Sequence, residues 1–296
     1  MKALIIINSF SDNPNNSHKA RRIKEELSNR GIDCDIKKAV SFLPSTNGNQ
    51  ISFPNLSDYS FAIDLDKDSY LADALDEKLP LFNSAKSLHL SDDKMTTILA
   101  LKGQGIITPL TIPAPLCYVS NPPQEEISEF LNQVEAQLSY PLVFKENHGS
   151  MGRQVKLIRN RSELEENYYS HISVPHLYEE FLSKHQGHDY RVMVIGSKVV
   201  AVMERVNLND FRSNIALGGK GYDATDTLPE SFKKVAIKAC KILDLDYAGI
   251  DIAMSDNDSP IFIEANGNAF FTEIEKVTGV NITSLLINNI LEKISK

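Results

Sequence analysis

The chain has 296 residues, 42% of them hydrophobic, and its 39 Asp and Glu outnumber 31 Lys and Arg to give a formal net charge of -8. That length supports a large core spread over two or three subdomains, and the acidic balance excludes a general nucleic-acid binder. No stretch approaches the ~18 apolar residues of a membrane span.

The opening MKALIIINSF is not expected to act as a signal peptide, because polar residues follow its short apolar run at once. Cys34, Cys117 and Cys240 have neither disulfide nor metal spacing, so the expected compartment is the reducing cytoplasm. Residues 2–8 read as a strand buried on both faces. Ser17 to Arg30 carries Ala20, Ile23 and Leu27 at helical spacing, and IDCDIKKAV offers a second strand, which makes a βαβ opening. Ser45 to Asn55 reads as a loop. YSFAIDLD is a strand whose end carries Asp64, Asp66, Lys67 and Asp68, facing either a ligand crevice or solvent.

Asp92 or Asp93 is placed to cap a helix from Lys94 to about Lys102. A cation at Lys94 opposes the helix dipole there, a cost that a phosphate contact would offset. Pro123 starts an amphipathic helix, and LVFKENHGSMGRQVKLI then reads as strand, glycine loop, strand. The loop matches neither a P-loop nor a Rossmann turn. It is either a plain turn or a flap whose backbone N–H groups cover polyphosphate, with Lys145 beneath. HDYRVMVIGSKVVAVMER reads as a hairpin turning at Gly196 and Ser197, with Asp189 and Arg191 on one face and Glu204 near Asp189. In the loop that follows, Arg212 and Asn214 are placed to point at a ligand. Pro229 to Leu243 and Ile282 to Ile294 read as amphipathic helices.

The most informative stretch is Asp246 to Asn268. Two arms rich in Ile, Ala and Phe flank the turn formers Asp256 to Pro260, a β-hairpin pattern. A turn centred between Asn257 and Asp258 sets Asp251 opposite Glu264, with Cβ atoms roughly 5 Å apart. Asn266 then lies on the same face. Opposed carboxylates destabilise a sheet unless a cation joins them, and an all-oxygen set suits Mg²⁺ or Mn²⁺. The alternative is a solvated face on which a one-residue bulge separates the acids.

Taken together, FNSAKSLHLSDDK, LVFKENHGSMGRQV, YEEFL, HDYRVMVIGSKVVAVMER, DFRSN, YAGIDIAM and IFIEANGN, followed by EIEKVTGVNI, resemble the ATP-grasp superfamily, and most closely its RimK-type α-L-glutamate ligases. The resemblance covers roughly residues 80 to 290 and implies an α/β (α+β) ATP-grasp fold. That fold would comprise an N-terminal α/β domain (1–85), a small central domain carrying the glycine flap (86–183) and a C-terminal antiparallel-sheet domain (184–296). It implies that Lys94 and Lys145 contact ATP phosphates under the flap residues Ser150, Met151 and Gly152. Backbone of Glu179, Glu180, Phe181 and Leu182 would line the adenine, and Asp189 the ribose, with Asn214 also at the nucleotide. Arg191 and Arg212 would face the acyl phosphate, and Asp251, Glu264 and Asn266 would bind two Mg²⁺.

The implied activity is ADP-forming ligation of an amino acid, L-glutamate above all, to an acceptor carboxylate. Rival readings are a dipeptide or glutathione-like ligase of the same fold, and an ATP sensor without turnover. The expected partners are ATP, an amino acid and a small-molecule or peptide acceptor, without nucleic acid or membrane, and homo-oligomer formation is left open. Gly267 to Phe271 replace the small-Pro-Gly turn usual in the family, so Phe270 and Phe271 are expected to wall the acceptor pocket. LDLDKD stands where the family often has an Arg.

Overall fold

A computed structural model describes residues 1–10 and 14–295. The first sheet is parallel, in the order β2-β1-β5-β6, from β1 (Lys2–Ile7), β2 (Asp33–Lys38), β5 (Phe61–Asp64) and β6 (Leu81–Phe82). Helix α1 (Pro14–Ser28) joins β1 to β2, which gives the expected βαβ opening, and α2 (Ser69–Asp76) precedes β6. The run KALIII suits a strand covered on both faces, and Ala3 to Ile6 are fully buried. The stretch read as a loop from Ser45 holds a short hairpin of β3 (Ser45–Thr46) and β4 (Ile51–Ser52).

Helices α3 (Ala85–Asp92) and α4 (Lys94–Leu101) lead into a second sheet. Asp93 is the cap of α4, accepting the Thr96 N–H at 2.7 Å. The second sheet, antiparallel, has the order β7-β10-β8-β9, from β7 (Thr111–Pro113), β8 (Leu142–Glu146), β9 (Val155–Ile158) and β10 (His176–Glu180). Helices α5 (Gln124–Gln137) and α6 (Arg161–His171) cover it, and Ile127, Leu131 and Val134 of α5 pack with Leu142 and Phe144. The polar sequence of α6 hides its helical period.

The third sheet is antiparallel, order β13-β12-β11-β14-β15, from β11 (His188–Ile195), β12 (Lys198–Val206), β13 (Lys220–Asp223), β14 (Tyr247–Met254) and β15 (Pro260–Asn266). Helix α7 (Glu230–Ile242) packs one face through Phe232, Ala236 and Ala239. Helices α8 (Thr272–Thr278) and α9 (Ile282–Ile294) pack the other. There the core is continuous with the first sheet: Ile5, Ile23, Phe61 and Ile63 join Met193, Tyr247, Phe271 and Ile287 in one cluster. The N-terminal strands are thereby fixed against the sheet that carries the charged hairpins.

Two β-bulges set which charges meet. In β11–β12 the pairs next to the turn are Ile195 with Lys198 and Val194 with Val199, but Met193 pairs with Ala201. Val200 is the extra residue, and the shift puts Arg205, not Glu204, opposite Asp189. This corrects the expected Glu204 neighbour: Glu204 faces Tyr190 and bonds His188 at 2.7 Å.

The β14–β15 hairpin has a bulge as well, with the opposite outcome to the one feared. Near its turn Ile252 pairs with Phe262, and beyond the extra residue Ile263 Asp251 pairs with Glu264. Asp258, in the left-handed region at φ 57, closes a turn whose centre falls one half-step earlier than expected. The bulge restores the register, so the acids meet because of it.

Candidate active site

β11, β14 and β15 lay out a row of charge: Arg191 is opposite Asp251, which is opposite Glu264. Asp251 is only 4% exposed. Arg191 donates to both its oxygens, through Nε and through Nη2 at 2.8 Å, and Arg205 Nη2 lies 3.0 Å from Oδ2. Gly249 makes room for this pair, since a Cβ there would meet Arg191 Cδ at 2.7 Å. Burial alone would push Asp251 up, yet the two guanidinium groups outweigh it and hold the carboxyl below its usual range. Arg205, itself 4% exposed, also donates to Asp189 at 2.7 and 2.5 Å.

Lys94, in the first turn of α4, points over this row, with Nζ 3.4 Å from Glu264 and 3.4 Å from the Asn147 carbonyl. Lys145 on β8 is 8% exposed and ion-paired to Glu179 on the adjacent β10. Between β8 and β9 the glycine loop folds over the same space. Met151 and Gly152 both take left-handed φ, 58 and 70. A Cβ on Gly152 would sit 2.5 Å from Asn214 Oδ1, so this position requires glycine twice over.

These groups line one solvent-open cleft. Lys94, Lys145, Ser150, Gly152, Glu179 and Asp189 line it from the flap side and the sheet. Glu180, Phe181, Leu182, Arg212, Asn214, Asp251 and Glu264 also line it. Met151, Arg191 and Asn266 do not. Arg191 is committed to Asp251, its neighbour on the same sheet face, and Asn266 lies on the other side with Nδ2 3.5 Å from Asp251 Oδ2. Arg212 is strapped to the flap, donating to the Gly152 carbonyl at 2.7 Å and to Asp210 at 2.9 and 2.7 Å.

Sequence reasoning gave no site role to Phe211, His185 or Ile263, which also line the cleft. Phe181 and Phe211 meet edge-on at 6.1 Å, an apolar wall from two loops that periodicity does not link. The expected acceptor wall needs correction. Phe271 is 1% exposed, inside the core shared with the first sheet, because α8 begins immediately after it and turns its ring inward. Phe270 alone stays half-buried.

Among the described residues no cluster of three or more His, Cys, Asp or Glu is spaced to hold a metal ion. Two carboxylates and one amide are nevertheless an oxygen-only set of the kind Mg²⁺ takes, and the register places Asp251 opposite Glu264 and Asn266 opposite Gly249. The donor chemistry fits a divalent cation that shares Asp251 with the arginines.

Solved structures define the class: this is an ATP-grasp fold. The RimK domain protein ATP-grasp from Sphaerobacter thermophilus DSM 20745 superposes with TM-score 0.74 at 17% identity, covering 98% of this chain and 99% of that one. D-alanine–D-alanine ligase from Bacillus anthracis complexed with ATP gives 0.72 at 17% identity, covering 100% and 97%. Within that class the chain belongs to the RimK-like ATP-grasp domain family, whose model matches residues 91–290.

Human N-acetylaspartylglutamate synthase A is 30% identical over 210 residues, covering 70% of this chain and 51% of that protein. Ribosomal protein bS6–L-glutamate ligase of Escherichia coli O81 (strain ED1a) is 32% identical over 208 residues, 69% and 65%. The chain thus spans about half the length of the first of these curated relatives. No helix among the described residues is long and apolar enough to cross a membrane.

Proposed function

We propose that the protein is an ATP-dependent, ADP-forming carboxylate–amine ligase, with L-glutamate as the favoured amino acid. The observation that carries this reading is one cleft lined by two lysines, a glycine loop and a carboxylate row held by arginines. The names of the relatives support the glutamate preference: one is a bS6–L-glutamate ligase and another an N-acetylaspartylglutamate synthase.

In this reading Lys94 and Lys145 neutralise the ATP phosphates and the flap amides of Ser150 to Gly152 cover them. Backbone from Glu179 to Leu182 lines the adenine, Asp189 the ribose. Asp251, Glu264 and Asn266 would hold Mg²⁺, two ions in the fullest form or Mn²⁺ in its place, which would screen phosphate charge. An acceptor carboxylate oxygen attacks the γ-phosphorus as the bond to ADP breaks. The amine nitrogen then attacks the acyl carbon, expels phosphate and loses its proton. Arg212, which faces the cleft, stabilises the developing oxyanion, whereas Arg191 fixes the aim of Asp251.

The test is ADP release with a panel of amines and carboxylates. Release that requires both an acid and an amine, best with glutamate, is the expected result. Tight ATP binding with no turnover on any pair would leave the sensor reading.

The flap assignment has its own tests. Gly152→Ala should drive the loop away from Asn214 and weaken ATP binding about tenfold or more, a loss of ~1.4 kcal/mol by calorimetry. An unchanged affinity would show that the loop is not a lid. Lys145→Met should weaken ATP binding by roughly 1.5–3 kcal/mol, the worth of a charge-assisted bond. That variant also strands the buried Glu179 carboxylate, so Lys145→Met with Glu179→Gln is the cleaner comparison. The double variant should recover stability and remain weak for ATP; restored affinity would exclude the phosphate role.

A further inference from the structure

Lys19 occupies a core position on α1, one helical turn before the buried Ile23, and is 1% exposed. Its ammonium donates to Asn268 Oδ1 at 2.7 Å and to the Ala269 carbonyl at 2.9 Å. It also lies 5.1 Å from the Tyr247 ring centre and 5.2 Å from that of Phe271. Among the described residues no carboxylate pairs with it, and burial pushes the amine down to about 7. The two oxygens and two ring faces favour the charged form that burial disfavours. An apolar side chain of similar length would fill this space without desolvating an amine, so core stability does not account for a lysine here.

What Lys19 grips is the loop that leaves β15 directly after Asn266. Asn83 holds the same loop from the other side, donating to the Gly267 carbonyl at 2.6 Å and the Tyr247 carbonyl at 2.9 Å. Its Oδ1 accepts the Asp246 N–H at 2.6 Å. Gly267, Asn268 and Ala269 are therefore each fixed by a side chain from the first 85 residues.

We propose that Lys19 is a positioning residue for the metal end of the cleft, fixing through Asn268 and Ala269 the backbone from which Asn266 projects. Divalent-cation binding then depends on α1 remaining docked against the third sheet. This rests on the assignment of Asn266 made above.

Mn²⁺ titrated into the full chain in the presence of ADP, with free Mn²⁺ followed by electron paramagnetic resonance, tests it. Lys19→Met should weaken Mn²⁺ binding about tenfold or more, the usual effect of removing a group that orients a ligand. Asn268→Ala removes the same bond from an only half-buried position and should do likewise even if Lys19→Met folds poorly. The double variant should lose little beyond either single one, since contacting residues are not additive. Amide exchange at 267–269 should quicken while β1 and β5 stay protected. Wild-type Mn²⁺ affinity in both single variants overturns the proposal and leaves Lys19 a packing residue. Absence of Mn²⁺ binding by the unaltered protein overturns the metal assignment beneath it. Absence of ADP release alongside the Mn²⁺ effect would instead strike the ligase reading alone.

Discussion

Asp251→Asn is expected to lower the unfolding free energy by about 3–5 kcal/mol and to abolish turnover. Opposed carboxylates viewed in isolation suggest the reverse for stability, since removing one relieves repulsion with Glu264. The surroundings decide the sign. Arg191 and Arg205 both bond Asp251, and among the described residues Arg191 has no other carboxylate partner. Neutralising Asp251 leaves that guanidinium without its counter-ion, whereas Arg205 retains Asp189. Urea unfolding with the slope held constant measures the loss, and stability equal to the parent's would mean that the arginine contacts carry no net energy.

The acid response should change with it. A carboxyl held below its usual range contributes stability that is present above its unfolded pKa of about 3.9 and is lost as pH falls through the folded value. Asp251→Asn should therefore flatten the acid limb of the stability curve at low pH. An identical acid limb in the two proteins would show that another group produces it.

Strand pattern and turn residues place the β14–β15 hairpin to within half a residue, and the acids face each other as expected because the bulge offsets that half-step. What pairing alone could not give was the bulge at Ile263, nor the bulge at Val200 that exchanges Glu204 for Arg205 opposite Asp189. A bulge leaves little trace in a run of apolar β-branched residues, and a single extra residue changes every later partner. Long amphipathic helices were readable for the same reason: Ile282–Ile294 shows its apolar period in sequence. α6 does not, because polar residues surround its axis. The Arg191–Asp251 pair and the Lys19 contacts join segments 60 to 250 residues apart, beyond any local pattern.

Phe271→Ala should cost about 3–5 kcal/mol, the range for deleting a buried aromatic ring. The ring belongs to the core that joins the first and third sheets, so its removal opens a cavity between them rather than a pocket for the acceptor. It also uncovers the ammonium of Lys19, which loses one of its two ring faces. Phe271→Leu keeps most of the volume and should retain well over half of that stability. Acceptor choice should respond instead to Phe270→Ala, the half-buried neighbour, with little change in the unfolding midpoint. Chemical unfolding of the three variants, together with ADP release over the substrate panel, separates the two positions. A stable Phe271→Ala protein that accepts larger carboxylates would return that ring to the acceptor wall and remove it from the core.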